Sequence, residues 1–148
     1  MAFTLTSPAF TDGASIPAQF TCEGSDVPPP LHVSDPPGRT ASYAVIMDDP
    51  DAPRGTFTHW LVYDIPSGGQ DLDTAAGRPL QNDFGRQGYG GPCPPPGHGP
   101  HRYFFKPYAL DVPSLDVRGS RRRELEAALR GHTLGEARLM GRYERRKR

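Results

Sequence analysis

No apolar stretch of this 148-residue chain approaches the roughly 20 residues that a helix needs to cross a bilayer. The opening Met1-Ala2-Phe3-Thr4-Leu5-Thr6-Ser7-Pro8 has neither a basic leader nor an apolar core, so no secretory signal is read there. Cysteine is scarce: Cys22 and Cys93 are too few for a structural zinc site without histidine ligands. With no visible signal, two reduced, buried thiols are expected rather than a bridge, and the chain reads as cytoplasmic. Net charge is missing too, since 17 basic residues balance 17 acidic ones. No nucleic-acid partner is expected on that balance.

The charge is nonetheless uneven. Arg142, Arg145, Arg146, Lys147 and Arg148 crowd the C-terminus against Glu144 alone, leaving an acidic body. Residues 142–148 are expected to be a solvated basic tail, with contact to nucleic acid or an acidic membrane surface as the alternative. The chain is read as one domain, residues 1–148, large enough to bury about two-thirds of its unfolded surface.

Proline and glycine are plentiful, at 18 and 17 residues, and lie between apolar runs as turn punctuation. Ser42–Met47 is a buried strand with turn signals on both sides. Thr58–Ile65 alternates, which places His59, Leu61 and Tyr63 on one face and Trp60, Val62 and Asp64 on the other. His101–Leu110 is a third strand, where Pro107 implies an edge or a bulge. Phe3–Leu5 is a weaker candidate. Pro66–Gly91 is too long for a plain hairpin loop, and loops of that length tend to carry function. Ser120 can cap a helix carrying Leu125, Ala128 and Leu129 and stopped by Gly131. Thr133–Glu136 reads as a capping box for a short second helical turn, and the alternation over Ala137–Tyr143 favours a final strand over a continued helix. The fold class is all-β: an antiparallel sandwich with one or two short helices near the end.

Two motifs carry the chemistry. In Asp49-Pro50-Asp51-Ala52-Pro53, two prolines stiffen a turn from which Asp49 and Asp51 project, and Ala52-Pro53 is a candidate cis bond. His59-Trp60 follows on a strand, with Trp60 read as core. In Pro92-Cys93-Pro94-Pro95-Pro96 the sole backbone N–H belongs to Cys93, and Gly90, Gly91, Gly97 and Gly99 surround it. His101 and Tyr103 then share one strand face while Arg102 points away. An imidazole, a phenol and one amide donor suit phosphate or sulfate oxygens, and a nearby carboxylate can orient a histidine.

These motifs, with Gly88-Tyr89-Gly90-Gly91 and His101-Arg102-Tyr103, resemble the phosphatidylethanolamine-binding protein family, in particular its bacterial Raf-kinase-inhibitor-like branch. Weaker echoes include Asp12-Gly13, Pro28–Leu31, Tyr108–Asp111 and Leu139–Tyr143, so the likeness spans most of the chain. The resemblance implies a Greek-key sandwich with a surface cavity for phosphate-like anions and phospholipid headgroups. It assigns ligand binding to Asp49, His59, Cys93, His101 and Tyr103, with Asp51, Pro53, Gly91 and Pro92 in support. Asp51 holds the turn and is a partner for Arg102. It implies no cofactor and no metal, and permits a homodimer and a protein partner such as a kinase. Three departures stand out: Leu31-His32-Val33 replaces Leu-x-Trp, Lys106-Pro107 interrupts a strand, and Cys22 has no family role.

The leading expectation is a non-enzymatic binding protein for a phosphorylated small molecule, lipid headgroup or phosphorylated side chain. The alternative is a small hydrolase built on the His/Asp cluster. Against it, the chain has no Gly-x-Ser-x-Gly nucleophile and no metal-ligand histidine spacing on one element.

Overall fold

The structure is a computed structural model that describes residues 2–146. Ser42–Asp49 (β3) is its spine. Every residue of this strand is buried, and its side chains alternate between two cores. Tyr43, Val45 and Met47 face one core, while Ala44 and Ile46 face the other. Phe57–Pro66 (β4) and His101–Leu110 (β6) flank it antiparallel. Arg78–Pro79 (β5) pairs with β4, giving the order β5-β4-β3-β6. Three successive neighbours followed by a strand that returns beside the first is a Greek key.

Thr4–Thr6 (β1) and His32–Ser34 (β2) form a second, two-stranded antiparallel sheet. Its Leu5 and Val33 pack on the Tyr43 face, so the molecule is the expected all-β sandwich. Val33 fills core at the departure Leu31-His32-Val33. On the opposite face lies Arg122–Leu129 (α1), whose Leu125 and Leu129 cover Ile46 and Leu61. Gly131, at φ 81°, ends the helix as the sequence implied. The start differs slightly: Arg121 holds the cap position, its N–H donating to the Glu124 carboxylate at 3.1 Å.

Thr133–Glu136 is not a second helical turn. It is a strand (β7) on β6, and Leu139–Tyr143 (β8) is another. The Thr133 hydroxyl donates to the Leu129 carbonyl at 3.0 Å. It therefore closes the preceding helix and is lost as an opening cap, while the free half of β6 takes the backbone. Arg142, assigned to the basic tail, lies in β8, and the Arg145 side chain donates to the Pro94 carbonyl at 2.7 Å. Lys147 and Arg148 lie outside the described residues.

Pro107 occupies neither an edge nor a bulge. β6 changes partner there, pairing with β8 up to Phe105 and with β7 from Tyr108. The missing N–H falls at the seam between the two partners, where the Pro107 carbonyl accepts from Ala137 at 3.3 Å. No peptide bond among the described residues is cis, Ala52-Pro53 included. The chain reverses instead through a turn closed by Gly55 N–H on the Ala52 carbonyl, 3.1 Å, with Gly55 at φ 104°.

The helix is locked to the sheet by one carboxylate. Asp48, 3% exposed, accepts from Lys106 Nζ and Arg122 Nη1, both at 2.9 Å. Arg122 also donates to the Thr58 hydroxyl at 3.1 Å. Asp48→Asn strands two cations beside a neutral amide. Urea denaturation is expected to show a loss of about 3 kcal/mol, and an unchanged midpoint would contradict this anchoring role.

Candidate functional site

Three acidic side chains leave the end of β3 in three directions. Asp48 faces the helix. Asp49, next in the alternation, faces the core that holds Tyr43, Val45 and Met47. Its Oδ1 accepts the Asp51 N–H at 2.7 Å and its Oδ2 accepts His101 Nδ1–H at 2.7 Å. Both side chains are almost fully buried, at 4% and 3% exposure. Asp51 turns outward to Arg102, taking Nε and Nη2 at 2.9 Å each and the Arg102 N–H at 2.9 Å. The hydrogen bond from Arg102 holds the Asp51 carboxyl down at about 2. Asp51 is thus a turn residue outside the cavity, as its expected pairing with Arg102 implied.

His59 reaches the site by a bulge. Met47 pairs with Trp60 and Asp48 with Thr58, so His59 is the extra residue of β4. Simple alternation puts His59 with Leu61, on the helix side. The bulge instead turns it to the face of Tyr103, ring centroids 5.2 Å apart, while Leu61 stays under the helix. Its Nδ1–H donates to the Gly90 carbonyl at 2.7 Å. Burial pushes the imidazole below its ordinary value, against the opposing pull of that carbonyl and of Asp49. A neutral ring with a donating Nδ1 has an accepting Nε2.

His101 and Tyr103 project together from β6, both buried. Burial pushes the Tyr103 hydroxyl up, and Asp49 and Asp51 add to the rise, keeping it protonated. Cys93 stands opposite on the proline run. With Asp49, His59, His101, Tyr103 and Pro53 it lines a cavity of about 200 Å³. The sequence-derived ligand set therefore converges on one space. Gly91 and Pro92 do not line it. They stand behind, where Gly91 N–H donates to Asp26 at 2.7 Å and the Pro92 carbonyl accepts Cys22 N–H at 3.1 Å. A Cβ on Gly91 would lie 2.3 Å from the Phe20 carbonyl, so close backbone contact demands glycine.

A family model described as phosphatidylethanolamine-binding protein matches residues 6–144. The chain belongs to the phosphatidylethanolamine-binding protein family. It is 48% identical to a UPF0098 protein of Aquifex aeolicus, covering 94% of this chain and 86% of that one. It is 44% identical to LppC of Mycobacterium tuberculosis, which bears a lipoprotein name, over 95% of this chain and 72% of that one. Among solved structures it is similar to the family homologue CT736 of Chlamydia trachomatis, with a TM-score of 0.88, 38% identity and coverage of 97% and 98%. Escherichia coli YbcL gives a TM-score of 0.86 at 30% identity, covering 97% of this chain and 99% of that one. The bacterial type expected from the motifs is thereby shown.

Within this family member, sequence reasoning missed one wall of the cavity. Phe57, Phe84, Pro94 and Pro95 line it. Phe84 is 39% exposed and packs edge-on to Phe57 at 4.7 Å and to His59 at 5.3 Å. Its position in the long Pro66–Gly91 connection was the available signal. His98 was missed as well: its Nδ1 lies 2.7 Å from His101 Nε2. No three His, Cys, Asp or Glu side chains among the described residues converge on a metal-sized space. No helix among them is long and apolar enough to cross a membrane.

The expected pair of free thiols is a disulfide. Cys22 and Cys93 are joined, with Cα atoms 5.4 Å apart, and no cysteine is free. A separation of 71 residues hid the pairing. The cause is the clasp of the segment around Cys22 on the Gly91–Cys93 run, reinforced by Tyr89 donating its hydroxyl to the Phe20 carbonyl at 2.7 Å. Cys22→Ser is expected to lower unfolding stability by about 4 kcal/mol, given the size of the closed loop. Wild-type protein in excess dithiothreitol should unfold with the variant; a midpoint that dithiothreitol leaves unmoved would contradict the bridge.

Asp51 generates a pH prediction. Its carboxyl is lowered in the folded state, so its contribution is complete above about 4 and fades as pH falls toward about 2. The difference in Tm between wild type and Asp51→Asn should shrink across that window. A difference that stays constant from pH 5 to pH 2 would rule out the Arg102 pairing as its source.

Proposed function

We propose that this protein is a binding protein whose cavity takes the phosphate-like group of a small ligand, lipid headgroup or phosphorylated side chain. One observation supports the reading above others: Asp49, His59, Cys93, His101 and Tyr103 meet around a single space of about 200 Å³. The His101 imidazole, a protonated phenol and a main-chain amide offer donors to anion oxygens, while the accepting Nε2 of His59 suits a protonated phosphate oxygen or a ligand hydroxyl. The wall of Phe57, Phe84, Pro53, Pro94 and Pro95 offers apolar contact to whatever the anion is attached to. The cavity is small and open on one side, so free phosphate should compete with a larger ligand.

The hydrolase reading loses ground at Cys93, whose sulfur is committed to Cys22 and supplies no thiolate nucleophile. The cytoplasmic expectation rested partly on reduced cysteines, and the disulfide removes that support. A bridge of this kind favours an oxidising compartment, in keeping with the lipoprotein name of LppC.

Isothermal titration with inorganic phosphate at neutral pH is expected to give saturable binding by wild type. His101→Ala should weaken it at least tenfold, through loss of a buried charge-assisted donor. Equal binding by the two proteins would remove the cavity from consideration.

A further inference from the structure

The carboxylate and the two histidines of the cavity are already held by partners. Asp49 spends one oxygen on the Asp51 N–H and the other on His101. His59 gives Nδ1–H to Gly90. His101 has both nitrogens engaged, Nδ1 on Asp49 and Nε2 on His98. No buried side-chain nitrogen or oxygen among the described residues lacks a partner. An anion that uses His101 must therefore displace something.

Most of these partners cannot leave. Asp49 and His101 are buried, and Asp51 is tied to Arg102. Gly90 N–H is paired with the His59 carbonyl at 3.0 Å. Cys93 is held by its disulfide and by prolines on both sides. His98 is different. It is exposed and sits between Gly97 at φ 76° and Gly99 at φ 90°. A Cβ on Gly99 would meet nothing within 4 Å, so the chain has open space beside that residue. Its backbone ties are few: His98 N–H to the Pro95 carbonyl at 3.1 Å and Gly97 N–H to the Arg145 carbonyl at 2.9 Å.

We propose that His98 is the gate of the cavity: it occupies His101 Nε2 in the empty protein and swings off when a phosphate-like anion takes that nitrogen. The inference rests on the anion reading above and adds the regulation of that site. The exchange conserves hydrogen bonds. His101 Nδ1–H remains on Asp49 throughout, which fixes the ring plane. Nε2 trades one imidazole nitrogen for an anion oxygen, or for the hydroxyl of a monoprotonated phosphate. The charged groups around the gate are Asp49 behind His101 and Arg145, anchored at the Pro94 carbonyl. The gate acts as an internal competitor, so apparent affinity is reduced by the fraction of molecules in which it is closed.

The test compares inorganic phosphate binding to wild type, His98→Ala and His101→Ala by isothermal titration. It is joined to ¹⁵N-edited NMR of the histidine side chains. His98→Ala is expected to bind about fivefold tighter or more, because one net hydrogen bond no longer opposes entry. On saturation of wild type, His98 nitrogens should move to the shifts of a solvated imidazole while His101 stays perturbed. Binding that is weaker or unchanged in His98→Ala, with His101→Ala defective, overturns the gate and leaves the anion pocket standing. The same holds if His98 stays bonded to His101 at saturation. If all three proteins bind alike, or none binds, the pocket reading fails and the gate falls with it.

Discussion

Everything at this site depends on a carboxylate that is almost fully buried. Asp49 is buried at the end of the central strand, and a buried charge is tolerated only when its lone pairs are used. The Asp51 amide and the His101 imidazole use them. That requirement fixes the proline-stiffened turn at one end and the orientation of His101 at the other. It also joins β3 to its neighbour β6 at the point where both enter the cavity. The acidic side chain positions the Asp51 turn and the His101 ring.

The strand that carries Asp49 also carries Asp48, and their opposite directions separate two tasks. One carboxylate gathers Lys106 and Arg122 and holds the helix; the other organises the cavity. A bulge one strand away makes this division useful. Without the extra residue at His59, its imidazole would lie with Leu61 beneath the helix, and the cavity would have one histidine.

Much of this was legible in the sequence, because local rules and tertiary structure agree there. The three long strands follow from β-branched and aromatic runs between turn signals. The candidate ligand set came from the family resemblance, and the proline run and the spacing of His101 and Tyr103 pointed the same way. What stayed hidden depends on partners remote in sequence. The face of His59 is decided by register with β3, the use of Thr133 by the end of the preceding helix, and the tolerance of Pro107 by two strands meeting beside it. Phe84 and His98 enter the site from connections whose path no periodicity encodes.

The Cys22–Cys93 bridge has a mechanical consequence. Tension applied between the two chain ends passes through the sulfur atoms and bypasses residues 23–92. That shielded segment holds β2 to β5, the Asp49 turn and His59. Pulling can peel away β6 to β8 and the helix, yet it cannot extend the enclosed segment. The contour released is limited to the residues outside the ring, at no more than about 3.6 Å each. Stretched from its ends, the molecule keeps the acidic half of its cavity inside a covalent loop that carries no load.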